Sequence, residues 1–100
     1  MASSLVYHIC TRFSWNNQAD SKVYIHDSLA IENFIHCSEE HQIKVVLDRY
    51  FQGQNNLLRL TIDTAKLVSR LQYDEAQNGD KFPHIYGSIN KEAITKINKI

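Results

Sequence analysis

The sequence predicts an α+β fold, a small and mainly antiparallel sheet packed with one long helix and short helical turns. Three observations carry that prediction. Several short runs alternate in the period of two that a strand requires, among them Leu5–Cys10, Leu57–Asp63 and Leu71–Glu75. One stretch changes period: from Glu39 onward Ile43, Val46, Leu47, Tyr50 and Phe51 recur at i, i+3, i+4, i+7 and i+8, the stripe of an amphipathic helix. Strands and helices do not alternate regularly along the 100 residues, so a parallel sheet of βαβ units is not indicated. That length predicts one domain spanning residues 1–100.

The elements follow in order. Leu5–Cys10 puts Leu5, Tyr7 and Ile9 on one face and Val6, His8 and Cys10 on the other. Both faces are largely apolar, which predicts a central strand with His8 inside. Ser14 is placed to cap a short helix reaching Asp20 and anchored by Trp15. Lys22–Ile25 reads as a short second strand. Asp27 and Ser28 open a helical turn that would carry Leu29 and Ile31 towards the core. Phe34-Ile35 is strand-like and delivers His36, Cys37 and Ser38 in succession. Ser38 sits where an N-cap belongs, and Glu39 and Glu40 fall in the first turn, where carboxylates suit the helix dipole. Gly53 is a stop signal.

Beyond the polar loop Gln52–Asn56, Leu57–Asp63 is a strong strand. Asp63 or Thr64 caps a brief turn, and Leu71–Glu75 is the next strand. Asn78-Gly79 signals a turn. Phe82–Gly87 is an aromatic segment in which Pro83 disfavours helix and Gly87 permits a bend. Asn90 is placed to cap one turn before a last strand, Ala93–Ile97.

Composition narrows the function classes. Basic and acidic residues balance at eleven each, with no Lys/Arg cluster, which argues against binding a nucleic-acid backbone. Cys10 and Cys37 are too few and too isolated for a disulfide scaffold or a CxxC site. Met1-Ala2-Ser3-Ser4 lacks the charged and apolar regions of a signal peptide, and no window reaches the length of a membrane span. The expectation is a soluble cytoplasmic protein with reduced thiols and no membrane association.

At Val6-Tyr7-His8-Ile9, Phe34-Ile35-His36-Cys37-Ser38 and Phe82-Pro83-His84-Ile85-Tyr86-Gly87 the chain resembles the bacterial and plant family called domain of unknown function 952. Trp15, Tyr24 and Glu75 also fall where that family's pattern would place them. Asn33 stands where the family usually has glycine; asparagine is the next-best residue for a positive φ. The resemblance implies, at one remove, an ADP-ribosyltransferase-like fold, a small split β-sheet domain whose active members bind NAD in a cleft. By position His8 resembles the histidine that holds a ribose hydroxyl there, and Glu75 resembles, loosely, the carboxylate that stabilises the transition state. NAD is the cofactor this implies.

The residues themselves point to a His-lined cleft. His36 and Ser38 lie on one side of an extended segment, beside the start of a helix whose N–H groups favour an anion or a sugar. His36 and Glu75 are the candidate catalytic residues; His8, Ser38, His84 and Tyr86 are the candidate ligand-binding residues. Each has a plainer reading. Ser38 serves as a cap alone, His8 and His36 as core hydrogen-bonders, Phe82–Tyr86 as a rigid plug, and Glu75 as a solvated strand-end carboxylate. His36, Cys37 and His41 lack the closed ligand spacing of a metal site, so no metal is expected. Strand alternation sends Cys37 away from His36 and makes it a buried thiol. His26 and His41 read as exposed, with no role. The lead expectation is a cleft for a small polar ligand, a nucleotide or NAD among the candidates. The alternative is a non-catalytic protein-interaction module with structural histidines.

Overall fold

The computed structural model describes residues 4–100. Met1–Ser3, read above as no part of a signal peptide, lie outside the described residues. The described residues build eight strands and three short α-helices. In order these are β1 (Leu5–Thr11), α1 (Arg12–Asn16), β2 (Val23–Tyr24), α2 (Ser28–Glu32), β3 (Ile35–His36), α3 (Ile43–Tyr50), β4 (Leu57–Asp63), β5 (Arg70–Glu75), β6 (Lys81–Tyr86), β7 (Ile89–Asn90) and β8 (Ile94–Lys99). All strand pairs are antiparallel. They form one sheet in the order β1-β4-β8, a second in the order β3-β6-β5, and a two-stranded ladder of β2 and β7. The α+β class with mainly antiparallel sheets is therefore as the sequence indicates.

The apolar alternation explains this division. Leu58, Leu60 and Ile62 of β4 pack with Val6 and Cys10 of β1, and with Ile35, Cys37 and Ile85 of the second sheet, in the main core. The opposite face of the first sheet, Tyr7, Ile9 and Leu57, is covered by Ile43, Leu47 and Phe51 of α3 and its C-terminal end. Burial on both faces is what gives β1 and β4 their nearly continuous apolar sequence. The central strand is β4, however, and not β1. Among the described residues the free side of β1 is met by a single-residue bridge, in which the Tyr7 and Ser38 amides donate to each other's carbonyls at 2.8 and 2.7 Å.

Several local expectations change. The long helix is shorter than its stripe. A 3-10 turn over Glu40–Gln42 precedes an eight-residue α3, and Tyr50 is exposed at the far end. Ser38 does not cap it, because its backbone is occupied by Tyr7. Glu39 takes that place in a reciprocal capping box with Gln42, whose Oε1 accepts from the Glu39 amide at 2.9 Å. At α1 the cap is Thr11, whose Oγ1 accepts from the Ser14 amide, so the helix starts before Ser14 and ends at Asn16. Ile31 is 79% exposed and does not reach the core, while Leu29 does. Asn33 closes α2 in the left-handed conformation at φ 73° and reverses the chain into β3. Gly87 sits at φ 152°, where a Cβ would meet the Ser69 hydroxyl at 2.5 Å, so glycine is required at that bend.

The β5–β6 hairpin turns through Asn78-Gly79, with Gly79 at φ 91°. Its register sets Gln72 opposite His84, and β3 sets His36 opposite His84 on the other side. Residues directly opposite one another share a face of the sheet. Ile35, Ile85 and Leu71 therefore face the core, while His36, His84 and Gln72 line up on the other face, in a row continued by Asp74 and Phe82. No helix among the described residues is long and apolar enough to cross a membrane.

Candidate functional site

A cleft of about 930 Å³ opens on that polar face. One wall is α3, through Val45, Val46, Arg49 and Tyr50; the other is the second sheet, through His36, His84, Phe82 and Asp74. His8, Cys37 and Ser38 line it as well, with His26 and Glu32 from the segment before β3. Three imidazoles singled out from the sequence, His8, His36 and His84, thus border one hollow although they lie far apart along the chain.

The histidines differ in what they have left to offer. His8 is 2% exposed. Its Nδ1 lies 2.7 Å from the His36 carbonyl oxygen, which only accepts, so the ring proton resides on Nδ1. Nε2 then accepts from the Tyr24 hydroxyl at 3.0 Å. Both nitrogens are used, and burial lowers the pKa to about 3, so His8 stays neutral. It ties β1 to the backbone of β3 rather than presenting a nitrogen to a ligand.

His84 has one nitrogen committed. Nδ1 donates to Asp74 Oδ2 at 2.7 Å, and the ring stacks on Phe34 with centroids 3.9 Å apart and planes within 11°. The tautomer fixed by Asp74 leaves Nε2 as an acceptor for whatever enters the cleft. Burial lowers the His84 pKa, and the Asp74 carboxylate opposes that shift. Asp74 also accepts from the Tyr86 hydroxyl at 2.5 Å and from the Gln72 amide at 2.6 Å. Those bonds, Tyr86 first, hold its pKa at about 2, so it is a firm anion at neutral pH. Tyr86 is not among the cleft's lining residues; it braces Asp74, and the Arg70 guanidinium lies over its ring at 4.6 Å.

His36 is half exposed and donates Nε2–H to Glu32 Oε1 at 2.9 Å, with its ring edge-on to His84 at 5.1 Å. His26 is half-buried rather than exposed. Its Nδ1 accepts from the Ser28 amide at 3.1 Å, which leaves Nε2–H as its remaining donor, and burial lowers its pKa. Glu75 lies at the rim, on the strand face opposite Asp74. Ser38 lines the cleft beside His8. Cys37 is buried on the core side, and burial pushes its thiol far up, which suits packing and not nucleophilic attack. Among the described residues no three His, Cys, Asp or Glu side chains are grouped to hold a metal ion.

Two contributors were missed in the sequence. Asp74 supplies the carboxylate beside His84, where the sequence reading weighed only Glu75. A three-residue turn over residues 77–79 sets Asp74 opposite Phe82 and so on the face of His84 and Tyr86, whereas a two-residue Asn78-Gly79 turn would set it opposite Pro83. His26 had no such signal, since its place depends on the turn between β2 and α2.

Fold and site together define a small α+β protein with two antiparallel sheets and a histidine-lined cleft. The model of the family described as "Protein of unknown function (DUF952)" matches residues 9–97, and the chain belongs to that family. A crystal structure of protein CC0527 from Caulobacter crescentus is similar to it with a TM-score of 0.87 and 25% identity, over 96% of this chain and 85% of that one. The solution NMR structure of the same protein gives a TM-score of 0.81 at 25% identity, over 96% and 84%. Among curated proteins, none matches the chain.

Proposed function

We propose that this chain is a single small cytoplasmic domain that holds a small polar ligand between α3 and the polar face of the second sheet. The observation that carries the reading is the convergence of His26, His36 and His84 on one cleft of about 930 Å³, within the range that takes small molecules. Phe82, Val46 and Tyr50 supply apolar surface for a ring, and the imidazoles and carboxylates supply hydrogen bonds. The reduced, buried Cys10 and Cys37 speak for the cytoplasm.

Within this reading Asp74, rather than Glu75, provides the carboxylate. It holds the proton on Nδ1 of His84 and makes Nε2 a base for a ligand hydroxyl. NAD or another nucleotide is the finer form of the proposal, together with an ADP-ribosyltransferase-like arrangement of the split sheet. In that form, contact with the ligand passes to His36 and His84, because both nitrogens of His8 are occupied. A protein-interaction role with structural histidines describes His8 but leaves the other three cleft imidazoles unexplained.

Thermal unfolding with NAD, ADP-ribose, AMP and adenosine tests the proposal. A ligand at about one hundred times its Kd adds roughly 2.7 kcal/mol, a rise in Tm of several degrees. At least one of the four should raise the wild-type Tm, and His84→Ala should lose that rise while unfolding cooperatively on its own. No rise with any of them on the wild type would remove the proposed ligand class.

A further inference from the structure

The charges around the cleft narrow what it accepts. Glu32, Asp74 and Glu75 contribute three carboxylates, and Arg49 is the one lysine or arginine among its described lining residues. His8 is neutral, and burial lowers His26 and His84 as well. Asp27 lies beside His26 without lining the cleft, and Arg70 is outside it over Tyr86. Counting the carboxylates and Arg49 alone, the lining is two negative charges from balance. A phosphate brought into it meets three carboxylates and one guanidinium, in a partly enclosed space where such repulsion is weakly screened.

The hydrogen-bonding groups point the same way. Asp74 and Glu32 accept, Nε2 of His84 accepts, and Nε2–H of His26 donates. This set suits hydroxyls, which both give and take hydrogen bonds. Phe82 and Tyr50 offer flat apolar surface beside it.

Resting on the binding role proposed above, we infer that the cleft prefers an uncharged, hydroxyl-bearing ligand of nucleoside or sugar type to the phosphorylated form of the same molecule, which ranks adenosine above AMP and puts the nucleoside ahead of NAD as its occupant. Adenosine and AMP are a matched pair of probes, differing in the phosphate alone. Calorimetric titration at pH 8 should show adenosine binding at least tenfold more tightly than AMP. Gln77 lines the cleft from the hairpin turn, is exposed and takes no part in the proposed hydrogen bonding, so Gln77→Lys adds a positive charge and leaves folding intact. That change should tighten AMP binding by about tenfold and leave adenosine within twofold. AMP binding the wild type as tightly as adenosine, or Gln77→Lys leaving AMP unaffected, overturns the charge selection while the binding role stands. If NAD, ADP-ribose, AMP and adenosine all fail to bind wild type and variant alike, both fall together, and that pattern is distinct from either of the other two.

Discussion

The two three-stranded sheets of this protein are used differently. The β1-β4-β8 sheet buries apolar side chains on both faces of β1 and β4, and its one internal histidine, His8, spends both nitrogens on protein partners. The β3-β6-β5 sheet buries one face and turns the other to a cleft, where His84 spends one nitrogen on Asp74 and keeps the other. The same residue type thus serves cohesion in one sheet and recognition in the other. The number of ring nitrogens already taken by the protein separates the two roles better than burial does, since His84 is itself only 12% exposed.

The contrast can be broken at its strongest point first. Leu60 is fully buried at the centre of the first sheet, so Leu60→Ala should cost about 2–5 kcal/mol in denaturant unfolding. A loss below 1 kcal/mol would mean that this sheet is not the main source of stability. Acid comes next. The folded state holds His8 at about 3, below its ordinary 6.5, so between those values the unfolded chain binds a proton that the folded protein refuses. Stability from this group is complete above about pH 6.5 and falls by roughly 1.4 kcal/mol per pH unit below it. His26 and His84 are lowered too and act in the same direction. Urea unfolding at pH 7, 6 and 5 should show the decline; a flat profile would contradict a neutral, saturated His8. The smallest effect belongs to the approach to the second sheet. Asn33→Ala places a Cβ without asparagine's local hydrogen bonding at φ 73° and should cost about 1 kcal/mol, whereas Asn33→Gly should be neutral or slightly stabilising.

Much of the fold was legible because alternation and turn chemistry are local. Leu57–Asp63 is a strand with the bounds its pattern indicates, and Asn78-Gly79 turns the hairpin it signals. Asn33 takes the positive φ expected of it. What was not legible depends on partners distant in sequence. Ser38 looks like a cap until Tyr7 occupies its backbone, and the apolar stripe through Phe51 does not reveal that its first turn tightens to 3-10 geometry. Ile31 fits a helical face, but a helix of five residues buries only part of its circumference. The site was half legible for the same reason. The imidazoles stand beside recognisable apolar anchors, while the pairing of Asp74 with His84 requires the hairpin register.

The join between the two sheets is slight. Beyond side-chain packing, it consists of the paired amides of Tyr7 and Ser38 and the imidazole of His8 reaching the His36 carbonyl. A seam this short behaves as a zipper with two teeth: once Tyr7 and Ser38 part, the residues that flank the hollow swing with the second sheet as a unit. Deuterium uptake should therefore reach those two amides together and ahead of the β1–β4 ladder, and an occupant spanning the gap should slow both in step.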